Sequence, residues 1–439
     1  MRSRGAQVVA PGAAGESIMH HVIIGAGPAG VIAAETLHKH DAGARITLIG
    51  DEPEPPYSRM AIPYLLVDQI TEEGTYLRKQ GGYFDSIGTD VLRDRVTFVS
   101  TDDKTLRLEK GGSLSFDRML IASGSRAIVP PIPGIDSPGV HACWTLEDAR
   151  QILRLAKPEA RVVLIGAGFI GSIILEALAS RGVDLNVIEM ENRMVPRMMN
   201  ERCGGLITQW CEEKGVRVHT SARVASIEPS GSDDTLVVSL GGDEELVADL
   251  VIRATGVTPN TEFLDGSGVE TDKGVLVNDY LQTSHPDVYA SGDVALGKDF
   301  CTGEYSALAI QPTAADHGRI AGRNMVNAGS TLHQGSVTMN VLDTMGLVSA
   351  SFGAWHGVDG GDSAELSDAG RFRYLSLQFE DDVLVGANSL GLTQHVGVLR
   401  GLIQSRLRLG VWKQRLQGDP TRIMEAYLGV TQGATWNVT

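Results

Sequence analysis

The sequence predicts an α/β protein, with two like-built three-layer ββα units and a smaller α+β unit at the C-terminal end. Three observations carry this prediction. A strand-like run, a GxGxxG turn, a helical stretch and a second strand ending in an acidic residue occur twice, with turns beginning at Gly25 and Gly166, 141 residues apart. Short β-rich stretches over 95–99 and 114–121, with turn signals such as Gly111-Gly112, lie between the copies. From about Thr331 the texture changes, with strand-like 336–350 and 371–379 ahead of a helical stretch over 396–416.

In the first copy the strand 21–24 runs into Gly25-Ala26-Gly27-Pro28-Ala29-Gly30, a helix to about His38, and a strand 45–49 that ends in Gly50-Asp51-Glu52. In the second, 162–165 runs into Gly166-Ala167-Gly168-Phe169-Ile170-Gly171, a helix to about Ser180, and a strand 185–188 ending at Glu189. The first glycine permits a tight turn, the second lets backbone approach a pyrophosphate, and the third lets helix and strand pack closely. Unpaired N–H groups then face the anion. With strand, helix and terminal acid all in place, each copy reads as a dinucleotide-binding turn. Glu189 would accept from adenosine ribose hydroxyls and repel a 2′-phosphate, which favours NAD over NADP. In the first copy that role falls to Asp51 or Glu52, after a longer loop.

Composition bounds the rest. A chain of 439 residues with 42% hydrophobic and 21% charged residues is an ordinary folded protein of two or three domains. With 38 basic against 54 acidic residues the net charge is −16, so a general grip on nucleic acid or anionic lipid is not expected. The uncharged, strongly apolar stretch 162–175 is broken by three glycines, and no membrane span is expected. The four cysteines, Cys143, Cys203, Cys211 and Cys301, form no CxxC or CxxxxC, so no metal or iron–sulfur centre is expected, and a reducing, cytoplasmic compartment is. Residues 1–18 lack the apolar core of a secretory signal and read as a disordered tail.

Together with the paired turns, three further segments resemble the FAD-dependent pyridine nucleotide-disulfide oxidoreductases, over about 20–428. They are Leu120-Ile121-Ala122-Ser123-Gly124-Ser125-Arg126, Ala254-Thr255-Gly256-Val257-Thr258-Pro259-Asn260, and the run from Thr283 through Ser291-Gly292-Asp293. The resemblance implies two Rossmann-like dinucleotide-binding domains: an FAD domain over 19–135 and 257–330, an NAD domain over 136–256, and a C-terminal α+β interface domain over 331–439. It also assigns residues. FAD would lie against Gly25, Gly27, Pro28, Ala29, Gly30, Asp51, Glu52, Arg59, Val96, Ala122, Ser123, Gly124, Arg126, Asp293, Gln311 and Pro312. NAD would lie against Gly166, Gly168, Phe169, Ile170, Gly171, Glu189 and Gly256. A helix start at 311–316 would favour negative charge on reduced flavin.

The chain departs from the family where disulfide members carry CxxxxC and oxidase members a single cysteine. Here the stretch reads Pro55-Pro56-Tyr57-Ser58-Arg59-Met60-Ala61-Ile62-Pro63-Tyr64-Leu65-Leu66, so no thiol is expected beside the flavin, and disulfide or sulfenate chemistry is disfavoured. The stretch is similar to that of rubredoxin and oxygenase-ferredoxin reductases and of the flavin part of nitrite reductase. Many of these pair a lysine near the flavin with a glutamate; aligned on Tyr57 and Arg59, those positions hold Tyr64 and Ile173, which implies a less polar nicotinamide pocket. The flavin-adjacent candidates are therefore Arg59, Tyr64, Phe169 and Ile173, with no catalytic acid or base beyond the flavin.

With no thiol to receive them, electrons are expected to pass between NADH and a one-electron iron–sulfur partner protein or subunit. The resemblance extends to flavin subunits of aldehyde oxidoreductase or carbon monoxide dehydrogenase systems. Alternatives are a freestanding NADH oxidase or quinone reductase, and a nicotinamide-sensing flavoprotein of the apoptosis-inducing factor type. A homodimer or a multi-subunit complex is compatible with all of these. Arg400, Arg406, Arg408, Lys413, Arg415 and Arg422, against Asp419 alone, suggest a basic helical ridge for docking an acidic partner.

Overall fold

The computed structural model describes residues 18–231 and 235–435, so the tail expected at 1–18 lies outside the described residues except for Ile18. The first glycine-turn unit is a five-stranded parallel sheet in the order Val288–Ala290, Arg118–Ile121, His20–Ile24, Arg45–Gly50, Thr89–Arg93. Its outer strand at 288–290 arrives only after the chain has passed through the second unit. That unit has its own parallel sheet in the order Arg217–His219, Asp184–Ile188, Arg161–Ile165, Leu250–Arg253, Val140–Ala142. In each sheet the strand leading into the glycine turn is central, with strands added on both sides of it. Turns at such switch points open into the crevice where α/β sheets bind ligands.

The central strands have buried cores, Val22, Ile23 and Ile24 in one and Val162 through Ile165 in the other. Both faces are covered, as parallel sheets require. Each unit also carries a three-stranded antiparallel meander, at Val96–Ser100, Thr105–Leu108 and Ser113–Ser115, and at Val224–Pro229, Leu236–Leu240 and Glu245–Ala248. The continuous strand read over 114–121 is thus two strands, interrupted at Phe116-Asp117 where the chain moves from the meander into the main sheet. The units are joined by a two-stranded antiparallel ribbon, Ser125–Ala127 against Val257–Pro259. Asn260 pins it by donating from Nδ2 to the Ser123 carbonyl at 2.9 Å, while Ser123 Oγ donates to the Asn260 carbonyl at 2.8 Å.

The C-terminal unit is a five-stranded antiparallel sheet, in the order Met339–Thr344, Leu347–Gly353, Val383–Leu390, Arg373–Glu380, Asp362–Asp368. The run read over 336–350 is a hairpin, because Met345 and Gly346 both take positive φ, 51° and 85°. The helix read over 396–416 is two helices, Val396–Ser405 and Val411–Gly418; the first ends at Arg406, whose φ of 47° is left-handed. That break divides the bases between two helices. Arg406 donates to the Cys301 carbonyl, Lys413 pairs with Asp362, Arg422 pairs with Glu425, and Arg415 stacks on Trp412. Asp362 comes from the sheet, and both carboxylate oxygens of Asp382 accept from Gly410 N, just ahead of the second helix.

The largest hydrophobic core disregards the order of the chain. It contains residues of the second unit such as Val162, Leu164, Leu175 and Val187, together with Tyr57, Ile62, Leu65 and Leu66 from the first unit and Leu342, Leu347, Tyr374 and Leu390 from the C-terminal sheet.

Candidate functional site

The two glycine turns are built alike. A Cβ on Gly25 would meet the Ala122 carbonyl at 2.0 Å and one on Gly30 the Gly25 carbonyl at 1.9 Å, whereas a Cβ on Gly27 would meet nothing within 4 Å. In the second turn a Cβ on Gly166 would meet the Ala254 carbonyl at 2.6 Å and one on Gly171 the Gly166 carbonyl at 2.0 Å, while Gly168 faces open space. The outer glycines are demanded by packing, while the middle one leaves its side of the turn open. Gly27 and Gly168 are the N-caps of helices Pro28–His40 and Phe169–Ser180, and neither cap has a side-chain hydrogen bond. First-turn amides are therefore left for an anion.

The first turn opens into a cleft of about 1170 Å³ that reaches across to the second unit. Its walls include Gly25, Gly27, Pro28, Ala29, Asp51, Glu52, Arg59, Val96, Ala122, Ser123, Gly124, Arg126, Asp293 and Gln311, and, from the second unit, Phe169, Ile170 and Ile173. Gly30 lies behind the turn, and Pro312 sits in the first turn of helix Gln311–Val326, whose N-cap also makes no side-chain bond. Gly166, Gly168 and Gly171 form the second turn itself. Gly256, with φ of 105°, lies in the second crossover, and its carbonyl accepts from Ile128 N at 2.9 Å.

Tyr64 stands elsewhere than expected. It does not line the cleft and is 55% exposed. In helix Ile62–Leu66 the residues Ile62, Leu65 and Leu66 are the buried ones, so Tyr64, two positions from Ile62, is turned about 200° away.

Both candidate acids of the first copy reach the cleft, with different partners. Asp51 pairs with Arg95 at 3.0 Å, near the surface. Glu52 accepts from Arg59 at 2.6 Å and from the Tyr57 hydroxyl at 2.5 Å. Arg59 also donates to the Trp144 carbonyl at 2.7 Å and lies over the rings of Tyr57 and Trp144 at 5.5 and 5.3 Å. Burial pushes the Tyr57 phenol well above its ordinary range, so it stays a donor. Asp293 accepts from Ser125 Oγ at 2.9 Å; burial holds its carboxyl above the ordinary value, against the opposing pull of that hydrogen bond and of Arg59. A half-buried carboxylate with one hydroxyl partner and spare acceptor capacity suits the ribityl hydroxyls of FAD. Ser58 donates to Gln311 at 2.5 Å, tying the cysteine-free segment to the start of helix Gln311–Val326.

In the second copy Glu189 is buried and turned onto its own turn. Its carboxylate accepts from Ala167 N at 2.8 Å and from Glu191 N at 2.9 Å. Several cleft residues were not anticipated, among them Trp144, Thr145, Asn260 and Asn340. The Thr145–Asp148 capping box, visible as Thr-Leu-Glu-Asp, marks where Trp144 enters.

A thiol does line the cleft, contrary to expectation: Cys143, immediately before Trp144. Burial, with Asp148 adding to it, pushes its pKa up to about 12, so the thiolate needed for disulfide or sulfenate chemistry is not formed near neutrality. Cys203 and Cys211 share the buried face of helix Glu201–Glu213, each pushed by burial up to about 12, and Cys301 lies outside the cleft against Gly353.

The family model for pyridine nucleotide-disulphide oxidoreductases matches residues 19–318. The chain belongs to that family. This pyridine nucleotide-disulphide oxidoreductase is 29% identical over 405 residues to the NADH-dependent phenylglyoxylate dehydrogenase subunit epsilon of Aromatoleum evansii, covering 92% of this chain and 96% of that one. It is 32% identical over 317 residues to the NADH oxidase of Methanocaldococcus jannaschii, covering 70% of each. Ferredoxin–NAD(+) reductase components of dioxygenase systems are among its further relatives. The fold matches the covalent putidaredoxin reductase–putidaredoxin complex with a TM-score of 0.85 at 22% identity, covering 94% of this chain and 99% of that one. The oxidoreductase is accordingly an enzyme that uses FAD and NAD(H). Among the described residues no helix is long and apolar enough to cross a membrane, and no group of three His, Cys, Asp or Glu could hold a metal ion.

Proposed function

We propose that this chain moves electrons between NADH and a one-electron iron–sulfur partner, as a reductase or as the flavin subunit of a larger oxidoreductase. The observation that carries the reading is a dinucleotide cleft flanked by a second nucleotide turn, whose lining thiol, Cys143, is held protonated. FAD, when bound, accepts a hydride from the nicotinamide and can return electrons one at a time.

The chain's own residues supply binding and alignment. The Gly27 turn and the uncapped helix behind it would hold the FAD pyrophosphate, Glu52 or Asp51 its ribose, and Asp293 its ribityl chain. The start of helix Gln311–Val326 would face the flavin's pyrimidine end, where its dipole favours negative charge. Phe169, Ile170 and Ile173 give the nicotinamide side an apolar wall that excludes water. No acid or base is asked to act, since a hydride needs alignment rather than proton transfer. The Gly168 turn would hold NAD, and Glu189, already anchored to that turn, would disfavour a 2′-phosphate.

The relatives support the acceptor class: one is a subunit of an NADH-dependent dehydrogenase, and others are ferredoxin reductases. A cytoplasmic setting belongs to the same reading, in keeping with four free thiols. The NADH oxidase relative keeps oxygen as the competing acceptor. The test is anaerobic: NADH should bleach the FAD-loaded protein rapidly, and a [2Fe–2S] ferredoxin should restore its colour much faster than oxygen or a quinone does. Reoxidation by oxygen at an equal or greater rate would replace this reading with the oxidase one.

A further inference from the structure

By sequence, residues 52–75 belong to the first unit, yet apolar side chains among them, Tyr57, Ile62, Leu65 and Leu66, lie in the core of the second. Two arginines of the second unit hold this segment. Arg150, on helix Leu146–Leu155, makes a bidentate pair with Glu72, from Nε at 2.9 Å and Nη2 at 2.7 Å. Its Nη1 reaches Glu54 at 2.8 Å and Glu147 at 3.2 Å. Glu54 has only 8% of its side chain exposed and lines the cleft. Arg181, at the end of helix Phe169–Ser180, donates to the Leu66 carbonyl at 2.8 Å and to the Ala156 carbonyl at 2.9 Å. Between these anchors stand the cleft residues Tyr57, Arg59 and Ile62.

We infer that Arg150 is a positioning residue for hydride transfer: it fixes the flavin-facing segment 54–72 to the nicotinamide-binding unit, so that the two ligand walls of the cleft keep one spacing. The inference rests on the FAD and NAD reading above. Arg150 lines no part of the cleft and acts only through Glu54 and Glu72. A planar guanidinium can meet two carboxylates at fixed angles, and one of them is nearly buried; an ammonium at the same place is a point charge and cannot. Hydride transfer depends steeply on the separation of donor and acceptor atoms, so a clamp of this kind acts on rate more than on affinity.

The test compares Arg150→Met and Arg150→Lys with the unsubstituted full chain in two measurements. In the FAD-free protein, hydrogen exchange reads the segment directly, because Ser58 N bonds the Thr75 carbonyl and Leu77 N the Pro56 carbonyl, both at 2.9 Å. In Arg150→Met these amides should exchange roughly tenfold faster, with strands His20–Ile24 and Arg161–Ile165 unchanged, and Arg150→Lys should fall between. In the FAD-loaded protein, the rate of flavin reduction at saturating NADH should drop by about tenfold while the NADH concentration giving half the maximal rate moves by less than about twofold. Unchanged exchange at 58–77, or a uniform rise across all strands, overturns the inference. Should Arg150→Met not fold, Glu72→Gln carries the same comparison with a smaller effect and the same overturning result. If NADH fails to reduce the flavin of the unsubstituted protein, the functional reading is lost, but the exchange experiment still decides whether the clamp exists.

Discussion

The two glycine turns share one backbone design and differ in what the terminal acid does. Gly25 and Gly30 are as tightly hemmed by carbonyls as Gly166 and Gly171, and Gly27 and Gly168 are equally open. In the first copy the acid is delivered outward, where Glu52 is shared with Arg59 and Tyr57 in the cleft wall. In the second, Glu189 folds back and spends its carboxylate on Ala167 N and Glu191 N. The segment after each acid makes the difference: after Glu52 it brings back the Tyr57 and Arg59 side chains as partners, and after Glu189 it offers the backbone N–H of Glu191. Two turns of this kind can therefore match in their packing within one chain while their polar chemistry diverges.

The largest expected effect tests the shared packing. Gly30→Ala and Gly171→Ala each drive a Cβ into a backbone carbonyl that cannot rotate away, and denaturant unfolding should show a loss of about 4 kcal/mol or more in both. Tolerance at one of the two would break the equivalence. Gly27→Ala and Gly168→Ala should stay within about 0.5 kcal/mol of the parent, because nothing in the protein meets the added methyl. Their cost should appear instead as weaker retention of FAD and of NADH, respectively.

The divergence of the acids predicts the next effect. Glu189→Gln keeps one good acceptor where two backbone N–H groups need one each, and should cost about 1–3 kcal/mol in thermal or denaturant unfolding. Glu52→Gln should cost less stability and more FAD affinity, since the Glu52 side chain is 29% exposed. Discrimination between NADH and NADPH should narrow in Glu189→Gln alone.

Asp293 gives a pH-dependent contrast. Burial raises its folded pKa above the ordinary 3.8, so the FAD-free protein loses stability as pH climbs from 3.8 through the raised value, where the carboxyl ionises more readily unfolded than folded. FAD-free Asp293→Asn should therefore melt higher than the parent at pH 7 and converge with it in acid. With FAD present the order should reverse, with an affinity loss of roughly ten- to a hundredfold from the missing charged acceptor.

The smallest effect separates the two members of the missing ion pair. Tyr64→Lys lies on the outside and should leave the flavin potential unmoved. Ile173→Glu places a carboxylate in the apolar wall, and an interaction of about 1.4 kcal/mol with reduced flavin would lower a two-electron potential by about 30 mV in a redox titration. An equal shift from both would contradict the placement of Tyr64.

Much of this was readable along the chain. The turns, their flanking strands and the Asp293 motif are local patterns, and the strand–turn–helix geometry they require admits few alternatives. The third unit was legible as α+β but not in its breaks, because the left-handed residues that begin them, Met345 and Arg406, are neither glycine nor asparagine, and Gly346 and Gly410 that follow them are single glycines in a glycine-rich chain. The thiol at Cys143 was missed for a related reason: it lies 77 residues beyond Leu66, the end of the cysteine-free segment whose cleft it shares.

By itself the sequence determined the two nucleotide turns and the absence of a cysteine from segment 55–66. Each is a matter of backbone conformation or side-chain chemistry within a few tens of residues. Only the tertiary structure decided that segment 52–75 packs into the core of the second unit, that Tyr64 faces outward, and that Lys413, in the run of bases after His395, meets Asp362 of the sheet. Burial and charge are sums over neighbours in space, and those neighbours come from parts of the chain that local spacing does not connect.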